Sequence, residues 1–172
     1  MLPKSILTID QAKLSGFCNW KPGNKPVLSS LDLRYLGNDL GKVLSYFEKN
    51  LRKNLVDNEV DFVCFEDVYI KHPVNIKVLK FLFPLFVAID KICFEMNIPC
   101  YVVTPTQWRN CAFGKGKYKR DVAKAKAIET CRQFGFNPQC EDEAEAFCIM
   151  VYVATIKRLP KDWSEPGLLN LT

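Results

Sequence analysis

Histidine is almost absent from this 172-residue chain: His72 is the only one. It lies outside every segment that gathers acids, which excludes a Ser-His-Asp arrangement. The eight cysteines include no C-x-x-C pair, and His72 is far from any two of them. That spacing argues against structural zinc and against a disulfide framework. No apolar run reaches membrane-spanning length, because Lys80, Pro84 and Asp90 interrupt the most apolar window, so no membrane partner is expected. The stretch GKGKYK places its lysines out of frame for a Walker phosphate loop. There is no internal repeat and no low-complexity run. The opening MLPKSILTID meets an acid directly after its short apolar run, and it reads as a first strand rather than a signal peptide.

Apolar side chains are plentiful. Hydrophobic residues make up 48% of the chain and Phe occurs 12 times, enough for a core of one domain of ordinary size. Cys64, Cys93 and Cys148 stand in apolar surroundings, where free thiols pack as small hydrophobes, and a reducing, cytoplasmic location is expected. The formal charge of +5 is unevenly spread. Between Lys115 and Lys126 there are six basic residues (Lys115, Lys117, Lys119, Arg120, Lys124 and Lys126) against one acid, Asp121, so this window alone matches the net charge. Such a patch is either a solvated helix face or a surface for a polyanion.

Ile6, Leu7 and Ile9 predict a buried first strand that ends in Asp10. A turn containing Gly16 precedes a second strand, Phe17 to Trp20, and the run VLSSLDLRY supplies a third, giving an antiparallel meander. Leu40, Val43, Leu44, Phe47 and Leu51 mark a helix capped by Asn38 or Asp39. DFVCFE is a fourth strand, closing on Glu66. Pro73 to Asn97 reads as mostly helix, kinked or divided at Pro84, with apolar surface for either the core or a subunit interface. Pro99 to Val103 is a fifth strand. A short helix follows, with Thr104 as cap and Pro105 at its first position. A basic loop leads into a helix from about Lys119 to Phe134, and EDEAEAFCIMVYVATIKR forms the last helix. The expected fold is α/β, a mixed five-stranded sheet flanked by helices. Residues 1–158 form the domain, and 159–172 a C-terminal tail.

Four acids stand where this fold could gather them: Asp10 and Glu66 at strand ends, and Asp142 and Glu145 three apart on one helix face. Taken singly, each has an ordinary explanation as a turn cap, a strand terminus or a partner of the helix dipole. That explanation suits Glu141 and Glu143 but fits Glu145 poorly, since it lies deeper in an apolar helix. Together the four would repel one another unless one or two divalent cations bind. Two Mg²⁺ ions about 4 Å apart, with Asp10 as the bridging ligand, would suit phosphodiester hydrolysis.

These stretches resemble the RuvC family of Holliday-junction resolvases, in order, from Ile6 to about Ala154. IDQAKLSGF resembles the family's first-strand Asp and its Ser-Gly-aromatic signature, here Ser15, Gly16 and Phe17. FEDVY resembles the segment of the second acid, TPTQWRNCAFGKGKYKRDVAKA the Thr-Pro to Gly-Lys-Gly stretch, and DEAEA the closing acidic pattern. The resemblance implies a ribonuclease-H-like fold and a homodimer that cuts four-way or otherwise branched DNA by paired symmetric nicks. Asp10, Glu66, Asp142 and Glu145 would then be catalytic metal ligands for Mg²⁺, two per site, with Mn²⁺ as a substitute. Glu145 stands where the family usually has Asp, and Glu143 is a rival ligand. The resemblance assigns Tyr69 as an aromatic wedge against bases and Lys115 and Lys119 as DNA contacts, with Lys117 and Arg120 added as neighbours. KHPVNIKVLKFLFPLFVAID lacks the family's Ala-Arg-Gly element, as a phage or mobile-element relative could, and the cytoplasm would then be the host's. Two other readings remain open: a nuclease of other branched DNA or RNA–DNA hybrids, and a nonenzymatic junction-binding protein.

Overall fold

The computed structural model describes residues 2–68, 75–159 and 161. Five strands, β1 (Ile6–Asp10), β2 (Leu14–Trp20), β3 (Val27–Asp32), β4 (Phe62–Glu66) and β5 (Cys100–Val103), form one sheet in the order β3-β2-β1-β4-β5. The first three strands pair antiparallel, while β1–β4 and β4–β5 are parallel. The sheet is therefore mixed, as the sequence predicts. Its strands alternate in period two, so each face receives its own core. Leu7, Ile9, Val63 and Phe65 meet α1 (Leu40–Asp57) and α2 (Ile76–Glu95). Ile6, Cys64, Cys18 and Trp20 meet α5 (Glu141–Ile156), with α3 (Pro105–Phe113) and α4 (Arg120–Gln133) beside it.

Three helices, α1, α2 and α3, start where a polar side chain satisfies their first amides. Asp39 accepts from the Lys42 amide, and Val43, Phe47, Leu51 and Leu55 then recur every four residues on the buried face of α1. Asn75 caps α2 through the Lys77 and Val78 amides. Thr104 and Gln107 close a capping box on α3, with Pro105 at its first position.

Three boundaries differ from the sequence reading. Gly16 is not in a turn but inside β2, paired across from Asp10, and the chain reverses at residues 11–13 instead. β3 stops at Asp32, whose carboxylate accepts from the Arg34 amide at 2.9 Å and draws residues 34–36 into a short 3₁₀ turn. The helix containing Pro84 is not divided: α2 runs through it, held by Leu85, Ala88, Ile89, Ile92 and Cys93 in the core.

The cysteines are all free, and Cys18, Cys64, Cys93, Cys131 and Cys148 are buried. Burial raises their thiol pKa values, to about 12 for Cys93 and Cys131, and keeps them protonated as packing groups. Among the described residues, no helix is long and apolar enough to cross a membrane. Leu159 is buried against the α5 core, whereas 162–172, most of the expected tail, lies outside the described residues.

Candidate metal centre

β1 and β4 run parallel with Ile9 beside Phe65, so the next residues, Asp10 and Glu66, are neighbours at the same end of the sheet. Alternation turns both toward the α5 side, the face of Ile6 and Cys64. α5 crosses that face closely. The Thr8 hydroxyl donates to the Ala146 carbonyl at 2.6 Å, fixing the second turn of the helix over β1. Its first turn lies over Gly16: a Cβ built on that residue would stand 1.9 Å from the Asp142 carbonyl oxygen. Only a residue without a side chain permits this approach, which carries the start of α5 to the strand pair ending in Asp10.

As a result, one carboxylate oxygen from each of Asp10, Asp142 and Glu145 lies within 4.8 Å of the others. Asp10 is 6% exposed and Glu145 7%. Glu66 borders this trio rather than joining it, and its Oε1 accepts from the Trp108 indole at 2.7 Å. Gln11, directly after Asp10, donates its side-chain amide to the Glu66 carbonyl, while its own buried Oε1 has no hydrogen-bond partner. Glu143 is also buried, but its carboxylate accepts from the Gln139 amide at 2.7 Å. It closes the entry to the helix and is absent from the trio.

Two cations stand against the acids. Arg109 lies 3.5 Å from Glu145, and Lys124, which also donates to Glu141, lies 3.7 Å from Asp142. They do not offset the cost of burying the acids. Burial raises the Asp10 pKa well above the usual carboxylate range, and the Glu145, Glu66 and Asp142 charges add to it. Glu66 is pushed up to about 7, by burial first and then by Glu145, with Trp108 and Arg109 pulling the other way. Burial likewise raises Glu145, against the pull of Lys124 and Arg109. Carboxylates held so close in a poorly solvated site, with only oxygen donors offered, suit a hard divalent cation.

The basic nucleic-acid candidates lie on the link between α3 and α4 and at the first residue of α4. Lys115, Lys117, Lys119 and Arg120 are all exposed. Gly116 is buried between the two lysines, with room for no Cβ against Thr106 and Asn110, so the loop is seated on α3. Tyr69 lies outside the described residues. Trp108 and Arg109 were not singled out from sequence, and Lys124 was counted only as part of the basic window. Their partners are 42, 36 and 18 residues away, respectively, a separation that local spacing does not reveal.

A mixed sheet with antiparallel strands 1–3, parallel strands 4 and 5 and acids at the ends of its two central strands defines a ribonuclease-H-like fold. Within that class the chain has a RuvC-like resolvase fold. It superposes on Thermus thermophilus RuvC with a TM-score of 0.69 at 14% identity, over 90% of this chain and 95% of that one. The same protein in complex with a Holliday junction substrate gives 0.68, with the same identity and coverage. The yeast mitochondrial Holliday junction resolvase Ydc2 gives 0.56 at 15% identity, over 92% of this chain and 82% of that one. The chain matches no protein-family model and no curated protein sequence.

Proposed function

We propose that the protein is a divalent-cation-dependent endonuclease that resolves four-way DNA junctions by paired nicks, acting as a homodimer. The carrying observation is the convergence of Asp10, Asp142 and Glu145 within 4.8 Å, beside Glu66, on a RuvC-like fold. The donor set fits Mg²⁺ or Mn²⁺, with Asp10, Asp142 and Glu145 as ligands and Glu66 offering a further oxygen toward a second ion. A bound divalent cation would acidify a coordinated water and offset charge on the phosphate under attack.

The protein's own part is placement. β1 and β4 fix Asp10 and Glu66, α5 brings Asp142 and Glu145, and Lys124 and Arg109 restrain the two helix acids. Exposed Lys115, Lys117, Lys119 and Arg120 supply positive surface for backbone phosphates, and Tyr69 is the proposed wedge at the crossover. The RuvC complex with a Holliday junction supports the four-way substrate. Two coordinated nicks require two sites, which gives dimerisation its function. The test offers end-labelled four-way junction, fork, linear duplex and RNA–DNA hybrid with Mg²⁺ and maps every nick on a denaturing gel. Symmetric nicks confined to the junction are expected. Preferential cutting of forks or the hybrid would replace the substrate assignment, and junction binding without any cutting would replace the enzyme by a binding protein.

A further inference from the structure

Trp108 is fully buried, and its indole N–H donates to Glu66 Oε1 at 2.7 Å. A buried indole N–H needs an acceptor, and here it takes one of the acids in the proposed centre. The ring has little freedom to leave. Its helix is fixed by the Thr104–Gln107 capping box, Phe113 packs edge-on at 5.5 Å, and the Arg109 guanidinium lies 4.9 Å from the ring centre. One turn of α3 therefore serves two acids, Trp108 holding Glu66 and Arg109 holding Glu145. Lys124 does the same for Asp142 from α4. The charged neighbours of Asp10, by contrast, are the three other carboxylates.

We infer that Trp108 is a positioning residue that commits one oxygen of Glu66, restricts that acid to ligation through its other oxygen, and so biases the centre toward Mg²⁺ and Mn²⁺ over Ca²⁺. The inference rests on the proposed metal site. Mg²⁺ takes single oxygens in a tight octahedron, whereas Ca²⁺ takes more oxygens and readily accepts both from one carboxylate. A donor fixed on Oε1 occupies one of that oxygen's lone pairs and disfavours its use, with the other oxygen, in a bidentate contact. Outer-sphere partners of this kind commonly change metal affinity by about 10–100-fold.

Calorimetric titration of the full chain with Mg²⁺, Mn²⁺ and Ca²⁺ tests this, comparing wild type with Trp108→Phe, which keeps an aromatic body and deletes the N–H. The Ca²⁺-to-Mg²⁺ affinity ratio should rise by about tenfold in the variant. In a Glu66→Gln background, Trp108→Phe should leave the ratio unmoved, because the ligand it disciplines is gone. An unchanged ratio in the first comparison, or equal changes in both backgrounds, would overturn the inference and leave a packing role. Loss of Asp10-dependent metal binding from wild type itself would instead bring down the metal site on which the inference rests. Should Trp108→Phe not fold, the wild-type indole ¹H–¹⁵N signal of Trp108, one of three tryptophans, gives the answer. It should shift on adding Mg²⁺ and stay put in Asp10→Asn; a signal indifferent to saturating Mg²⁺ would overturn the inference.

Discussion

Glu66 links the centre to the stability of the metal-free protein. An unfolded Glu titrates near 4.5, whereas burial and the Glu145 charge move folded Glu66 to about 7. Between those values the folded protein keeps a proton that the unfolded chain has released. Stability without metal therefore falls as pH rises through this window, and the loss is complete above about 7. Glu66→Gln should be more stable than wild type in EDTA at pH 8, by on the order of 1–3 kcal/mol, and should show no such gain at pH 4.5. Urea unfolding at the two pH values measures it, and an equal difference at both would contradict the assignment. At this scale the gathering of Asp10, Asp142 and Glu145 was legible only from the acids taken as a set, because each one singly has an ordinary explanation as a cap or a strand terminus. The choice between Glu145 and Glu143 needed the Gln139 amide, a contact made outside the helix itself.

Secondary elements were legible wherever a local signal exists: the alternation of β1, the four-residue spacing of α1 and the caps at Asp39 and Thr104. Gly16 was misplaced because its reason is tertiary. It is glycine to admit the α5 backbone, not to turn the chain. Gly16→Ala should push the start of α5 off β2, destabilise the protein by about 1–3 kcal/mol as overpacking does, and weaken Mn²⁺ binding by displacing Asp142. A variant with wild-type melting and Mn²⁺ affinity would show that the approach is not needed. The link from α3 to α4 makes a separate prediction. If Lys115, Lys117, Lys119 and Arg120 meet phosphates, each Ala substitution should lower the log–log salt slope of junction binding by about one. An unaltered slope and affinity would return them to an ordinary solvated face.

For the whole molecule, the long helix α2 presents apolar side chains both to the core and to its exposed side. Leu85, Ala88, Ile89, Ile92 and Cys93 face the core, while Phe83, Val87 and Phe94 are 51%, 50% and 83% exposed. The sequence showed too much apolar surface for one side of a sheet but not which residues were surplus, because that depends on how α1 covers the helix. If the surplus forms the dimer contact, Phe83→Asp with Val87→Asp should give monomers by analytical ultracentrifugation and abolish paired nicking; wild type already monomeric at working concentration would refute the dimer. The proposed cutting of DNA depends first on whether the gathered acids hold a divalent ion. The most direct measurement compares Asp10→Asn with wild type for Mn²⁺ binding by calorimetry, junction binding in EDTA and junction cleavage in Mg²⁺. Metal binding and cleavage should be lost while junction binding stays equal or tightens, since a negative charge facing phosphate is removed. An Asp10→Asn protein that binds Mn²⁺ and cuts junctions at near the wild-type rate would contradict this expectation.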